Sequence, residues 1–111
     1  VLKKNKINNY KIVNVPGTFE IPIVLSNLIN KYDGFIVLGC VIRGETSHYD
    51  FLCQSVFNSI LKLSTENNIP VTNAILTCED TNQANNRADH KKVDKGGNAA
   101  KALISVLKVL S

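Results

Sequence analysis

The 111-residue chain has no methionine and no tryptophan, and its three cysteines form no Cys-x-x-Cys pair. An odd number of dispersed cysteines fits neither a disulfide framework nor a zinc site, so we expect reduced thiols in the cytoplasm. No apolar run approaches the roughly 20 residues of a membrane-spanning helix. The net charge is only +4, and no basic patch is interleaved with aromatic residues. This balance argues against nucleic-acid binding and suits small anionic substrates.

Apolar and amphipathic segments alternate along the chain. Three apolar segments predict strands: Tyr10 to Val15, Phe35 to Ile42 and Val71 to Thr77. The segments between and after them predict helices: about Phe19 to Lys31, His48 to Glu66, Thr81 to Ala88 and Gly96 to Leu110. Strands that alternate with helices indicate parallel pairing and right-handed crossovers, so the expected class is α/β, in one domain spanning residues 1–111.

Several side chains refine this prediction. Thr18 is a candidate N-cap for the first helix, and Pro22 is tolerated in its first turn. The almost wholly apolar run from Phe35 to Ile42 predicts a strand that is covered on both faces. Helical spacing predicts two buried stripes, one of Leu52, Val56, Ile60 and Leu63, the other of Ala99, Leu103, Val106, Leu107 and Leu110.

The segment Gly39–Asp50, G-C-V-I-R-G-E-T-S-H-Y-D, carries the clearest chemical signal. A strand ends there in a turn that leads directly into a helix, which Ser47 could cap. Free backbone N–H groups at a helix start bind phosphate, and the same field keeps a histidine there neutral. His48 is therefore a candidate for proton transfer, although a surface histidine is the alternative. His90 lies in a charged loop and is given no role.

Three turns follow strands in series: V-P-G-T-F-E, I-R-G-E-T-S-H and T-C-E-D-T. In a parallel sheet such turns all lie at the carboxyl edge, where doubly wound proteins bind their ligands. A small-molecule site is therefore expected at this edge.

Four further side chains each have two interpretations. Arg43 could bind an anion or pair with a neighbouring glutamate. Arg87 could recognise a phosphate or complement the dipole at the end of its helix. Lys95 could bind an anion or simply end a loop. Glu20 could cap its own helix or accept hydrogen bonds from a polyhydroxylated ligand.

V-P-G-T-F-E-I-P, G-C-V-I-R-G-E-T-S-H-Y-D, and L-T-C-E-D-T-N-Q-A-N-N-R-A-D followed by D-K-G-G-N-A-A resemble, in order and spacing, the three signatures of the lumazine synthase family. The resemblance covers almost everything after Asn14. It implies a flavodoxin-like three-layer α/β/α fold with a parallel sheet in the order 2-1-3-4. It also implies that 5-amino-6-(D-ribitylamino)uracil and 3,4-dihydroxy-2-butanone 4-phosphate are joined, without metal or organic cofactor, to 6,7-dimethyl-8-ribityllumazine and phosphate. This is the penultimate step of riboflavin biosynthesis.

The resemblance also implies roles for single residues. His48 matches the family's proton-transfer histidine, and the amides of Glu45 and Thr46 with the Arg87 guanidinium match its site for the butanone phosphate. The positions that match the binding site of the other substrate are Thr18, Phe19 and Glu20 for the ribityl chain, Cys40, Val41 and Ile42 for the pyrimidine edge, and Lys95 for the ring carbonyls.

The family's sites lie between subunits of a homopentamer, and some members assemble further into icosahedral shells. By the resemblance, Asn73, Arg87 and Lys95 come from the adjacent subunit. Two residues depart from the pattern: Asn73 stands where many members have an aromatic residue, and Asp94 stands where Asn is frequent.

The family begins with a further strand and helix, and residues 1–9 resemble the end of that helix. Since the first strand is central in the order 2-1-3-4, we expect another strand–helix unit of roughly 30 residues upstream of Val1. Two alternatives to the enzyme remain open here. One is a non-catalytic binding or shell-forming homologue, and the other is the related pentameric riboflavin synthase of archaea.

Overall fold

The computed structural model describes residues 10–42, 48–78, 81–89 and 95–110. Its two strands are β1 (Phe35–Ile42) and β2 (Val71–Cys78), and its helices are α1 (Ile21–Leu28), α2 (His48–Asn67), α3 (Thr81–Ala88) and α4 (Lys95–Leu110). The expected α/β class is confirmed, and both strands and the last three helices lie within about one residue of their predicted bounds.

The two strands form a parallel pair, as the alternation of strands and helices predicted. Phe35 lies opposite Val71 at one end of the pair, and Ile42 lies opposite Cys78 at the other. Both strands therefore end at the same edge of the sheet. Their direct pairing agrees with the last two positions of the order 2-1-3-4, and the rest of that order stays a prediction.

The hydrophobic core lies between the sheet and the layer formed by α1 and α2. Side chains alternate between the two faces of a strand, so Val37 and Ile75 point into this layer together. The buried cluster consists of Ile21, Leu25, Ile29, Val37, Val56, Ile60 and Ile75. The predicted stripe of α2 is confirmed, with Val56 almost wholly inaccessible at 1% exposure.

The opposite face of the sheet carries α4 and is only partly covered. The Thr72 hydroxyl donates to the Ala99 carbonyl at 2.9 Å, which fixes α4 mainly over β2. Leu38 of β1 is 62% exposed as a result, so the expectation that both faces of β1 are covered is wrong. The stripe of α4 is buried only in its first half: Val106 is 39% and Leu110 64% exposed, against the prediction.

The segment from Tyr10 to Val15 is not a strand, contrary to the prediction. It pairs with neither β1 nor β2, and a segment without a ladder partner has no strand hydrogen bonds. Ile12 in its middle is 76% exposed, so this segment adds little to the core.

The first helix also begins and ends differently from the prediction. Thr18 to Glu20 form a single 3-10 turn before α1, and no side chain caps either helical start. Thr18 is therefore not the N-cap. Pro22 lies in the first turn of α1 as expected, and α1 ends at Leu28 rather than Lys31, whose N–H closes a turn onto the Leu28 carbonyl.

Candidate functional site

The turn that precedes α1 lies directly against β1. A Cβ atom placed on Gly39 would lie 3.3 Å from the Thr18 hydroxyl oxygen, so glycine in the strand permits this close approach. Thr18, Phe19 and Glu20 are thereby brought to the part of β1 that leads into Cys40 and Val41. Two segments that the sequence assigned to one substrate are neighbours in the structure.

Phe19 and Glu20 are both exposed, and the Phe19 ring is 69% accessible. They line a surface groove of about 390 Å³ between α1 and α2, together with Pro22, Ile23, Ser55, Val56 and Ser59. The Glu20 carboxylate makes no capping bond to α1, so the capping interpretation of this residue is wrong. It folds back instead, with one oxygen 3.0 Å from where a Cβ on Gly17 would lie. The carboxylate therefore remains a hydrogen-bond acceptor for another partner.

The carboxyl end of β1 leads to the predicted catalytic segment. Cys40 is exposed and Val41 half-buried, and Ile42 is the last residue of the strand. Arg43, Glu45, Thr46 and Ser47 lie outside the described residues, as do His90 and Asp94. His48 is the first residue of α2, which confirms the predicted strand–turn–helix order. The roles given to these residues stay predictions.

Arg87 is held at the same edge of the sheet by β2. It lies in the last turn of α3, and its guanidinium Nη1 donates to the Thr77 carbonyl at 2.8 Å. Thr77 lies opposite Val41 in the parallel register. The position of Arg87 therefore satisfies the helix-dipole interpretation and also brings a positive charge to the carboxyl edge.

Asn73 and Lys95 lie together further along β2. Lys95 begins α4, and both residues line a surface groove of about 320 Å³ whose other walls are Thr72, Asn98, Ala99 and Ala102. The Asn73 side-chain oxygen accepts a 2.7 Å hydrogen bond from the Ile75 backbone N–H. This groove combines an ammonium with an amide whose oxygen is already engaged.

The candidate residues thus form two groups within one chain. We call them the β1 group (Thr18, Phe19, Glu20, Cys40, Val41 and Ile42) and the β2 group (Asn73, Arg87 and Lys95). The two surface grooves share no lining residue. Asn73 precedes Thr77 by four positions, which is about 13 Å along an extended strand. A single chain therefore does not gather all of these residues into one pocket.

Sequence reasoning missed three contributors to this region. Ser55 and Ser59 line the groove beside Glu20, and their spacing of four on α2 is the only signal that could have suggested it. Thr77 anchors Arg87 through a backbone carbonyl, which leaves no signature in the residue type.

Other chemistry is limited in the part of the chain that the structure describes. No group of three histidine, cysteine, aspartate or glutamate side chains is arranged to hold a metal ion there, and no described helix is long and apolar enough to cross a membrane. The Cys53 thiol is buried in α2, and burial followed by the nearby Asp50 carboxylate raises its pKa. A thiol kept protonated in this way is a core side chain rather than a nucleophile.

A parallel α/β fold with polar groups gathered at its carboxyl edge defines a protein that acts on small molecules. The family model of 6,7-dimethyl-8-ribityllumazine synthase matches residues 1–111. The chain is also similar to the 6,7-dimethyl-8-ribityllumazine synthase of Limosilactobacillus reuteri (strain DSM 20016), with 40% identity over 109 residues that cover 96% of this chain and 72% of the relative. The chain belongs to the 6,7-dimethyl-8-ribityllumazine synthase family. It is accordingly a transferase of riboflavin biosynthesis, and the resemblance read from the sequence is confirmed.

Proposed function

We propose that this chain condenses 5-amino-6-(D-ribitylamino)uracil with 3,4-dihydroxy-2-butanone 4-phosphate in sites shared by neighbouring subunits of a homopentamer. The products are 6,7-dimethyl-8-ribityllumazine and inorganic phosphate. Both reactants are intrinsically reactive, so holding them together and moving protons accounts for much of the catalysis.

The observation that carries the proposal is the hydrogen bond from Arg87 to the Thr77 carbonyl. It holds a permanently charged planar guanidinium at the edge of the sheet where the strand-to-helix turns converge. Elimination of phosphate develops negative charge, and a cation held in advance stabilises that charge without reorganisation. In the proposal Arg87 and the amides of Glu45 and Thr46 bind the phosphate group.

His48 is the proposed proton-transfer residue. As the first residue of α2 it lies at the positive end of a 20-residue helix, a field that disfavours the imidazolium form. A neutral imidazole can accept a proton during imine formation and return one during phosphate elimination.

The separation of the β1 and β2 groups supports a site shared between subunits. The β1 group offers a hydroxyl, a carboxylate and an aromatic ring, which suit a ribityl chain and a pyrimidine. The β2 group offers cations and an amide, which suit a phosphate and ring carbonyls. In the proposal the β2 group of one subunit completes the β1 group of the next. Assembly of pentamers into a shell and a cytoplasmic location, where cysteines stay reduced, extend the proposal.

The direct test supplies both substrates and follows lumazine absorbance and phosphate release together. The two products are expected in equal amounts, with neither formed when one substrate is omitted. Binding of lumazine without phosphate release would indicate a non-catalytic homologue instead. Conversion of lumazine alone to riboflavin would indicate a riboflavin synthase.

A further inference from the structure

Asn73 lies on an edge strand. Among the described residues β2 pairs with β1 alone, so its other side presents backbone groups to whatever approaches. One of them, the Ile75 N–H, donates to the Asn73 side-chain oxygen at 2.7 Å. The bond withdraws this N–H from pairing with a further strand, as edge strands require.

The same bond determines which end of the Asn73 amide is presented outward. A backbone N–H can be met only by the oxygen of a side-chain amide, so the oxygen is directed to Ile75. The opposite end, the Nδ2 group, is a donor with two hydrogens. Asn73 is exposed and lines the groove that Lys95 also lines. The groove is therefore equipped to donate to electron-rich oxygen or nitrogen atoms.

We propose that Asn73 is a specificity-determining residue whose Nδ2, oriented by the Ile75 N–H, donates to an acceptor atom on the ring of the uracil substrate beside Lys95. The inference rests on the proposed function, since it names what this residue does in that site. An aromatic residue at this position would stack on the ring. An oriented amide instead recognises the ring edge, which discriminates by the positions of carbonyl and ring nitrogen atoms.

A purely structural role for Asn73 is the competing explanation. In that case its only task is to satisfy the Ile75 N–H. Aspartate separates the two roles, because its carboxylate still accepts from Ile75 but no longer donates into the groove. Alanine removes both functions together. Asn58→Asp is the matched control, since it adds the same charge at an exposed position on α2, on the other face of the sheet.

The experiment measures KM for each substrate and the melting temperature of the full chain. Asn73→Asp is expected to raise KM for the ribitylaminouracil about 10- to 100-fold, the effect of leaving a buried acceptor without its donor. KM for the butanone phosphate and the melting temperature are expected to stay unchanged. Asn73→Ala is expected to raise the same KM and also to lower the melting temperature, and Asn58→Asp to change neither.

An Asn73→Asp variant with unchanged KM for the uracil, or with both KM values raised equally, would overturn the inference while the proposed function stands. If the unmodified protein neither turns over the two substrates nor binds lumazine, the proposed function itself fails. The wild-type assay therefore distinguishes the two failures.

Discussion

The β1 and β2 groups differ in how they are held and in what they offer a ligand. Glu20 contributes a carboxylate acceptor from a turn that packs on β1 beside Gly39. Arg87 and Asn73 are instead fixed by short hydrogen bonds to the backbone of β2, and they contribute positive charge and an amide donor. A substrate pair with many hydroxyls, ring carbonyls and a phosphate needs both kinds of surface. Each group alone matches only part of that chemistry, which is why their separation within one chain matters.

Removing the imidazole is the strongest way to test the β1 side of this comparison. We expect His48→Ala to lower kcat by about 100- to 10,000-fold, the usual contribution of general acid–base catalysis. The KM values and the assembly state are expected to change little, because the alanine keeps α2 intact. Steady-state kinetics and native mass spectrometry measure these quantities, and an unchanged rate would remove His48 from the mechanism.

Mixing variants tests whether the two groups belong to different subunits. His48→Ala and Arg87→Ala chains are expected to be nearly inactive alone. When they are unfolded and refolded together in equal amounts, about a quarter of the contacts in a cyclic assembly join an intact His48 to an intact Arg87. Activity should recover in about that proportion at saturating substrate. If the mixture regains nothing while its mass shows mixed assembly, the site lies within one chain.

Much of the fold could be predicted because it is recorded in local patterns. The apolar run of β1 and the helical spacing of Leu52 to Leu63 located their elements nearly to the residue. Tyr10 to Val15 could not be predicted in the same way, since a strand depends on a partner elsewhere. The exposure of Val106 and Leu110 has a similar cause: spacing predicts an apolar stripe but not what packs against it.

For the candidate site, the order of the motifs located the residues but not the bonds that hold them. Arg87 and Asn73 were singled out from the sequence, yet their partners are the Thr77 carbonyl and the Ile75 N–H. Every residue except proline has such an N–H, and all have the carbonyl, so residue types alone do not reveal these contacts. The interpretation of Glu20 as a helix cap failed for the complementary reason, because its carboxylate turns back to Gly17 instead.

Replacing the guanidinium tests the β2 side, with a smaller expected effect. Arg87→Ala should raise KM for the butanone phosphate about 10- to 100-fold through loss of a charge-assisted hydrogen bond. Arg87→Lys should fall between wild type and alanine, because lysine keeps the charge but lacks the planar fork that can bind a carbonyl and a phosphate together. Lys101→Ala, which removes a charge from an exposed position on α4, is the control and should leave both KM values unchanged. If Arg87→Ala instead weakens only the uracil substrate, the phosphate does not bind at this end of β2 and the β2 group serves the ring alone.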